Sequence, residues 1–180
     1  MKVVAIVGLT GSGKSEVARV FEQSGFKRVR FGDLTDREAA RRGLELNEAN
    51  ERLIREELRQ EHGMAAYAKL NLFWIDAARE NANVVIDGLY SWEEYKLLKS
   101  HLGTDLCVIA VWSSPAIRYR RLTGRAVRPL SPEEAGSRDG AEIEKLNKGG
   151  PIAMADFTIL NEDSHESLVQ ETENIIRGLK

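Results

Sequence analysis

Residues 8 to 15 read Gly8-Leu9-Thr10-Gly11-Ser12-Gly13-Lys14-Ser15, a full match to the G-x-x-x-x-G-K-[ST] phosphate-binding pattern. The chemistry requires these residue types. Glycines without a Cβ let the backbone curl so that successive N–H groups point at phosphate oxygens. A helix starting at the end of the loop aims its positive dipole end at the same place. Lys14 offers a point charge to β- and γ-phosphates, and the Ser15 hydroxyl can ligate Mg²⁺. Asp87 ends the apolar run Val84-Val85-Ile86, where a carboxylate can hold the same ion directly or through water. Asp87-Gly88 is also a turn pair. Asp33, in Phe31-Gly32-Asp33-Leu34, is placed to act as a general base on an acceptor hydroxyl or to order a bound acceptor, with a helix N-cap as the alternative. Arg118, Arg120, Arg121, Arg125, Arg128 and Arg138 crowd one stretch. Guanidinium forks match phosphoryl oxygens and stabilise the charge that spreads during transfer, and a mobile arginine flap excludes water. Arg121 and Arg125 share a helix face if the helix runs that far. Pairing with Glu133, Glu134, Asp139 and Glu142 is the plainer reading of these charges.

These groups need a scaffold. Val3, Val4, Ile6 and Val7 form an apolar run that predicts a buried strand before the loop, and Lys14 to Ser24 predicts a helix stopped by Gly25. Further strands are expected at 27–31, 83–86, 105–112 and 157–160, the first of them an edge strand because it carries Lys27, Arg28 and Arg30. Residues 33–81 predict a long helical stretch capped by Asp33 or Thr35 and broken by Gly43 and Gly63. Its middle piece, 47–62, is highly charged with a thin apolar stripe at Leu46, Ala49, Leu53 and Leu58. Its last piece carries Ala68, Leu72 and Ile75 at helical spacing, and Trp74 is expected in the core. Helices follow at 91–102, with Ser91 and Glu94 in capping-box spacing, and at 115–123. Residues 124–140 read as a flexible insert, followed by a helix over 141–148 that Gly149-Gly150 ends. Ser164 caps a final amphipathic helix. Alternating strands and helices predict an α/β protein with a parallel sheet, helices on both faces and ligands at the carboxyl ends of the strands.

Bulk properties fit one domain with a real core: 180 residues, 42% hydrophobic and 30% charged. A net charge of −2 argues against a nucleic-acid partner. The single cysteine, Cys107, excludes an internal disulfide framework, fits a reducing compartment and is expected as a buried strand thiol. The three histidines lack metal-ligand spacing. No apolar run approaches a membrane span, and the first strand begins too early for a signal peptide, so a soluble cytoplasmic protein without a membrane partner is expected.

Taken together, Gly8 to Ser15, Phe31-Gly32-Asp33-Leu34, Val84 to Gly88, the arginine run ending in Arg138-Asp139, and Ala155 to Asn161 resemble the P-loop kinases of the nucleoside-monophosphate-kinase type: adenylate kinase, dephospho-CoA kinase and their relatives. The chain is similar above all to a mostly archaeal group of predicted nucleotide kinases related to dephospho-CoA kinase and adenylate kinase, over nearly its whole length. The resemblance implies a three-layer P-loop NTPase fold over residues 1–180, with a five-stranded sheet of order 2-3-1-4-5. It also implies an acceptor-binding helical region at 33–81, a short arginine-rich lid at 124–140, and Asn161 near the adenine of ATP. Asp33 matches the catalytic aspartate of dephospho-CoA kinases and equally the Gly-Asp of adenylate kinases. Two positions depart from the pattern. Tyr90 stands where an arginine usually grips the acceptor phosphate, and the arginine expected soon after Gly32-Asp33 is displaced, with Arg37 nearest.

The function expected is transfer of the γ-phosphate of MgATP to a small nucleotide-like acceptor, a nucleoside monophosphate or dephospho-CoA. Gly8 to Ser15, Arg121, Arg125 and Asn161 would bind ATP, and Ser15 and Asp87 would bind Mg²⁺. Lys14, Asp33, Arg125, Arg128 and Arg138 would serve the chemistry. The alternative is an ATP-binding switch or regulator of the same fold, which Tyr90 favours. Asn147-Lys148-Gly149-Gly150 lacks the aspartate of a guanine-reading N-K-x-D motif, which counts against a switch.

Overall fold

The computed structural model describes residues 1–179. Its strands are β1 (Val3–Val7), β2 (Lys27–Arg30), β3 (Val84–Asp87), β4 (Leu106–Trp112) and β5 (Phe157–Leu160). They form one all-parallel sheet in the order β2-β3-β1-β4-β5, as the resemblance implies. Central β1 sets Val3 beside Val84 on one side and Leu106 on the other. A strand covered on both faces needs no polar alternation, and every residue of β1 is buried.

The period-2 pleat divides these side chains between two cores. Val3, Ala5 and Val7 pack with Phe31, Ile54, Tyr67, Ile75 and Leu98. Val4 and Ile6 pack with Val17, Phe21, Phe26, Leu168 and Ile176. The first face is covered by α2 (Asp33–Arg42), α3 (Glu48–His62), α4 (Ala66–Arg79) and α5 (Trp92–Leu102), and the second by α1 (Lys14–Gln23) and α9 (His165–Leu179). Half-exposed, basic β2 is the edge strand expected. Cys107 is buried on β4, where desolvation first and then Asp156 push its thiol up to about 11.

Gly43 and Gly63 fall at the breaks between α2, α3 and α4. The cap of α2 differs from expectation: Gly32 stands at that position, with no side-chain cap, and Asp33 is already the first helical residue. On α3 the buried contacts are Ile54 and Leu58, four residues apart on one face, while Leu46 and Leu53 are exposed. Trp74 is not core. It lies 51% exposed beside Phe73, off the face of α4 that carries buried Asn71 and Ile75.

Residues after α6 (Pro115–Thr123) depart most. Only 124–131 lack regular structure, and α7 runs from Pro132 to Glu144. A complete Ser131/Glu134 capping box and Pro132 in the first turn start this helix, and Leu130 and Ala135 seat it on Leu122. Gly149-Gly150 opens α8 (Gly149–Ala153) instead of ending a helix, because the chain reverses at Asn147, whose φ is 50°. No helix among the described residues is long and apolar enough to cross a membrane.

Candidate nucleotide site

The loop between β1 and α1 depends on two of its glycines for steric reasons. Gly8 has φ 153°, and a Cβ there would lie 2.3 Å from the Val111 carbonyl oxygen. Gly13 has φ 100°, and a Cβ would lie 2.2 Å from Asn161 Nδ2, whose own bond to the Ser12 carbonyl (2.8 Å) ties β5 to the loop. Gly13 is also the N-cap of α1, and no side chain caps that helix. Its first-turn N–H groups therefore stand ready for an anion. Ser12 Oγ is buried with no partner among the described residues. From behind, buried Arg118 donates to the carbonyls of Thr10 and Ser113 (both 3.1 Å) and forks onto Asp139 at 2.8 and 2.6 Å. Of the six grouped arginines, this one is structural.

Lys14 bends back to donate to the Leu9 carbonyl at 2.8 Å. Burial first, and then the Lys148 charge, lower its pKa to about 7 against the opposing pull of Glu142 and Asp87. Ser15 Oγ donates to Asp87 Oδ1 at 3.3 Å, while Arg28 from the edge strand holds Oδ2. A hydroxyl and a carboxylate oxygen meeting at the loop suit a hard cation such as Mg²⁺. The described residues contain no cluster of three or more acidic, histidine or cysteine ligands, so phosphate and water would complete its shell.

Lys14, Ser15, Asp87, Arg125, Arg128 and Arg138 line one cleft of roughly 1190 Å³. Arg121 does not join them. α6 stops at Thr123, so Arg125 leaves the helical face. Arg121 instead donates to Ser113 Oγ (3.0 Å) and Asn161 Oδ1 (3.4 Å), in a separate recess of about 210 Å³ that Gly13, Asn161 and Leu168 also line. The two groups of residues thus line separate spaces, and Gly13 lines the smaller one.

Opposite the loop, α3 forms the far wall. Arg128 reaches Glu51 at 2.9 Å and Arg138 reaches Glu48 at 2.6 Å, so two arginines from the segment after α6 span the cleft. Arg125 makes no ion pair among the described residues. Partial burial, then the like charges of Arg138 and Arg128, lower its pKa. Asp33 is not brought to the cleft: it is exposed and paired with Arg30 at 2.7 Å. Asp36, one turn on, lines the cleft and binds the same guanidinium at 2.7 Å. Arg37 is exposed and outside the cleft, and Arg30 and Arg59 face it instead. Arg59 lies over the Tyr67 ring at 5.3 Å with its buried Nε unpartnered. Tyr90 stands edge-on to Phe31 and Tyr67, and burial raises its pKa.

Two charged residues escaped the sequence reading as site members. Glu142 and Lys148 are both buried, 2.9 Å apart, and both line the cleft. Their six-residue spacing matches no helical pair, and only the reversal at Asn147 brings them together.

A parallel sheet in this order, with a phosphate-binding loop behind its central strand and a charged cleft above, defines a P-loop protein of kinase-like fold. Two solved structures share it: shikimate kinase from Bacteroides thetaiotaomicron (TM-score 0.63, 15% identity, covering 98% of both chains) and dephospho-CoA kinase from Campylobacter jejuni (TM-score 0.58, 19% identity, covering 99% of this chain and 98% of that one). A family described as "AAA domain" matches residues 4–146. A UPF0200 protein of Thermococcus onnurineus is 38% identical over 94% of this chain and 95% of its own length. The chain belongs to the UPF0200 family of AAA-domain proteins.

Proposed function

We propose that this protein transfers the γ-phosphate of MgATP to a small anionic, nucleotide-like acceptor such as a nucleoside monophosphate or dephospho-CoA. The observation that carries the reading is the uncapped start of α1, beneath Lys14 and beside the Ser15–Asp87 pair, opening into a cleft ringed by arginines. On this reading the loop amides and Lys14 hold the phosphates, the recess at Arg121 and Asn161 takes the adenine, and Ser15 and Asp87 hold Mg²⁺, which lowers the charge repelling an incoming nucleophile. Arg125, without a counter-ion among the described residues, is the cation free to meet the transferring group, and Arg128 and Arg138 on the 124–140 lid close over it. The acceptor lies against the 33–81 region, where Arg59 supports an anion and Asp36 takes the place expected of Asp33. The named kinases that share the fold support phosphoryl transfer as the reaction class.

The test is ADP release from MgATP over a panel of nucleoside monophosphates, dephospho-CoA, shikimate and gluconate. Turnover dependent on one acceptor is expected. Tight ATP binding with no acceptor-dependent release across the panel would instead favour a regulatory nucleotide-binding role.

A further inference from the structure

The phosphate loop already holds an anion, and it belongs to the protein. Glu142 of α7 is 7% exposed. Its Oε1 accepts from Thr10 Oγ1 at 2.6 Å and its Oε2 accepts from the Thr10 N–H at 3.2 Å. Lys148 Nζ lies 2.9 Å from Oε2, and Arg138 Nε lies 3.6 Å from Oε1. A loop amide, a hydroxyl and a set of cations form the donor set that recognises a phosphoryl oxygen.

The place matters as much as the partners. Lys14 is the residue that reaches the β- and γ-phosphates, and its ammonium is parked on the Leu9 carbonyl. The carboxylate grips the next residue, Thr10. Both therefore meet the loop at residues 9 and 10, ahead of Gly13 and α1 in the chain, where the lysine that serves the terminal phosphates is held. Burial alone would raise the Glu142 carboxyl, but Lys148, Lys14 and Thr10 hold it well below the usual carboxylate range, so the occupant is charged. Lys148, only 2% exposed, requires some anion beside it.

We infer that Glu142 is a displaceable stand-in for the terminal phosphoryl group, which a triphosphate must expel from Thr10 and Lys148 and a diphosphate leaves in place. Because Glu142 and Arg138 share α7, expulsion couples arrival of the triphosphate to movement of that helix. The inference rests on the reading that this loop binds ATP.

Binding of a non-hydrolysable ATP analogue and of ADP, each with Mg²⁺, is measured by titration calorimetry on the full chain and on Glu142→Gln. The variant should bind the analogue roughly 10- to 100-fold more tightly, the equivalent of one charge-assisted hydrogen bond no longer broken, while ADP affinity moves less than about threefold. Glu142→Asp keeps a carboxylate for Lys148 but shortens its reach to Thr10. It should shift the same ratio in the same direction by less, and it serves if the first variant does not fold. Equal shifts for both nucleotides, no shift, or weaker binding of the analogue would overturn the inference while leaving the ATP site standing. Failure of the unaltered protein to bind either nucleotide would overturn both.

Discussion

Arg118 joins the fold to the phosphate loop, and its removal has a calculable effect. Its guanidinium makes two bonds to Asp139 and one each to the Thr10 and Ser113 carbonyls, all buried. Arg118→Met keeps an unbranched apolar stem and removes every donor. Among the described residues Asp139 then retains only the Tyr119 hydroxyl at 3.0 Å, and two carbonyls lose a donor. Leaving one member of a buried ion pair uncompensated costs about 3–5 kcal/mol. For a chain of this size that lowers the melting temperature by roughly 10 °C, at about 2–4 °C per kcal/mol. Denaturant unfolding followed by far-UV circular dichroism measures the loss. Adding Asp139→Leu removes the stranded carboxylate, so the double variant should recover about 1–2 kcal/mol relative to the single one. A single-variant loss below about 1 kcal/mol, or a double variant no better than the single, would refute the reasoning.

Three further outcomes follow from named groups. Lys14→Ala should lower acceptor-dependent turnover by on the order of a hundredfold or more with the unfolding midpoint little changed, and near-normal turnover would contradict the proposed role. With Lys14 titrating at about 7 in the free protein, bound phosphates should raise its pKa, so nucleotide binding above pH 7 takes up a proton. Affinity should then fall up to about tenfold per pH unit above 7, and calorimetry at pH 8 in buffers of different ionisation enthalpy would read the uptake directly. Burial raises Glu94 to about 7 against the hydrogen bond it accepts from the Tyr90 N–H. The folded state therefore holds a proton the unfolded chain has lost, and stability should decline as pH rises from 4.5 through 7. Glu94→Gln should flatten that slope in denaturant midpoints taken across the window, and an unchanged slope would assign it elsewhere.

Much of this protein was written locally. The Gly8 to Ser15 pattern, the apolar run before it and the helix after it are short-range signals, because a cradle of amides needs glycines at fixed intervals. The five strands and the breaks at Gly43 and Gly63 were legible for the same reason: each follows from periodicity or from a single residue's backbone preference. Where local signals misled, a second one had been outweighed. The glycines and charges of 124–140 suggested a flexible insert, while the Ser131-Pro132 start with Glu134 set α7.

Tertiary structure alone decided which charges meet. Arg118 turned inward to Asp139, Arg121 went to the separate recess beside Asn161, Asp36 displaced Asp33 at the cleft, and Glu142 found Thr10, 132 residues away in the chain. No periodicity records such encounters, because long charged side chains on neighbouring helices can choose among many partners. Desolvation selects among them: a charge that folding buries must find its counter-ion or donor set in whatever the packing brings alongside. The sequence by itself determined the phosphate loop and the sheet that carries it, and packing determined what that loop faces.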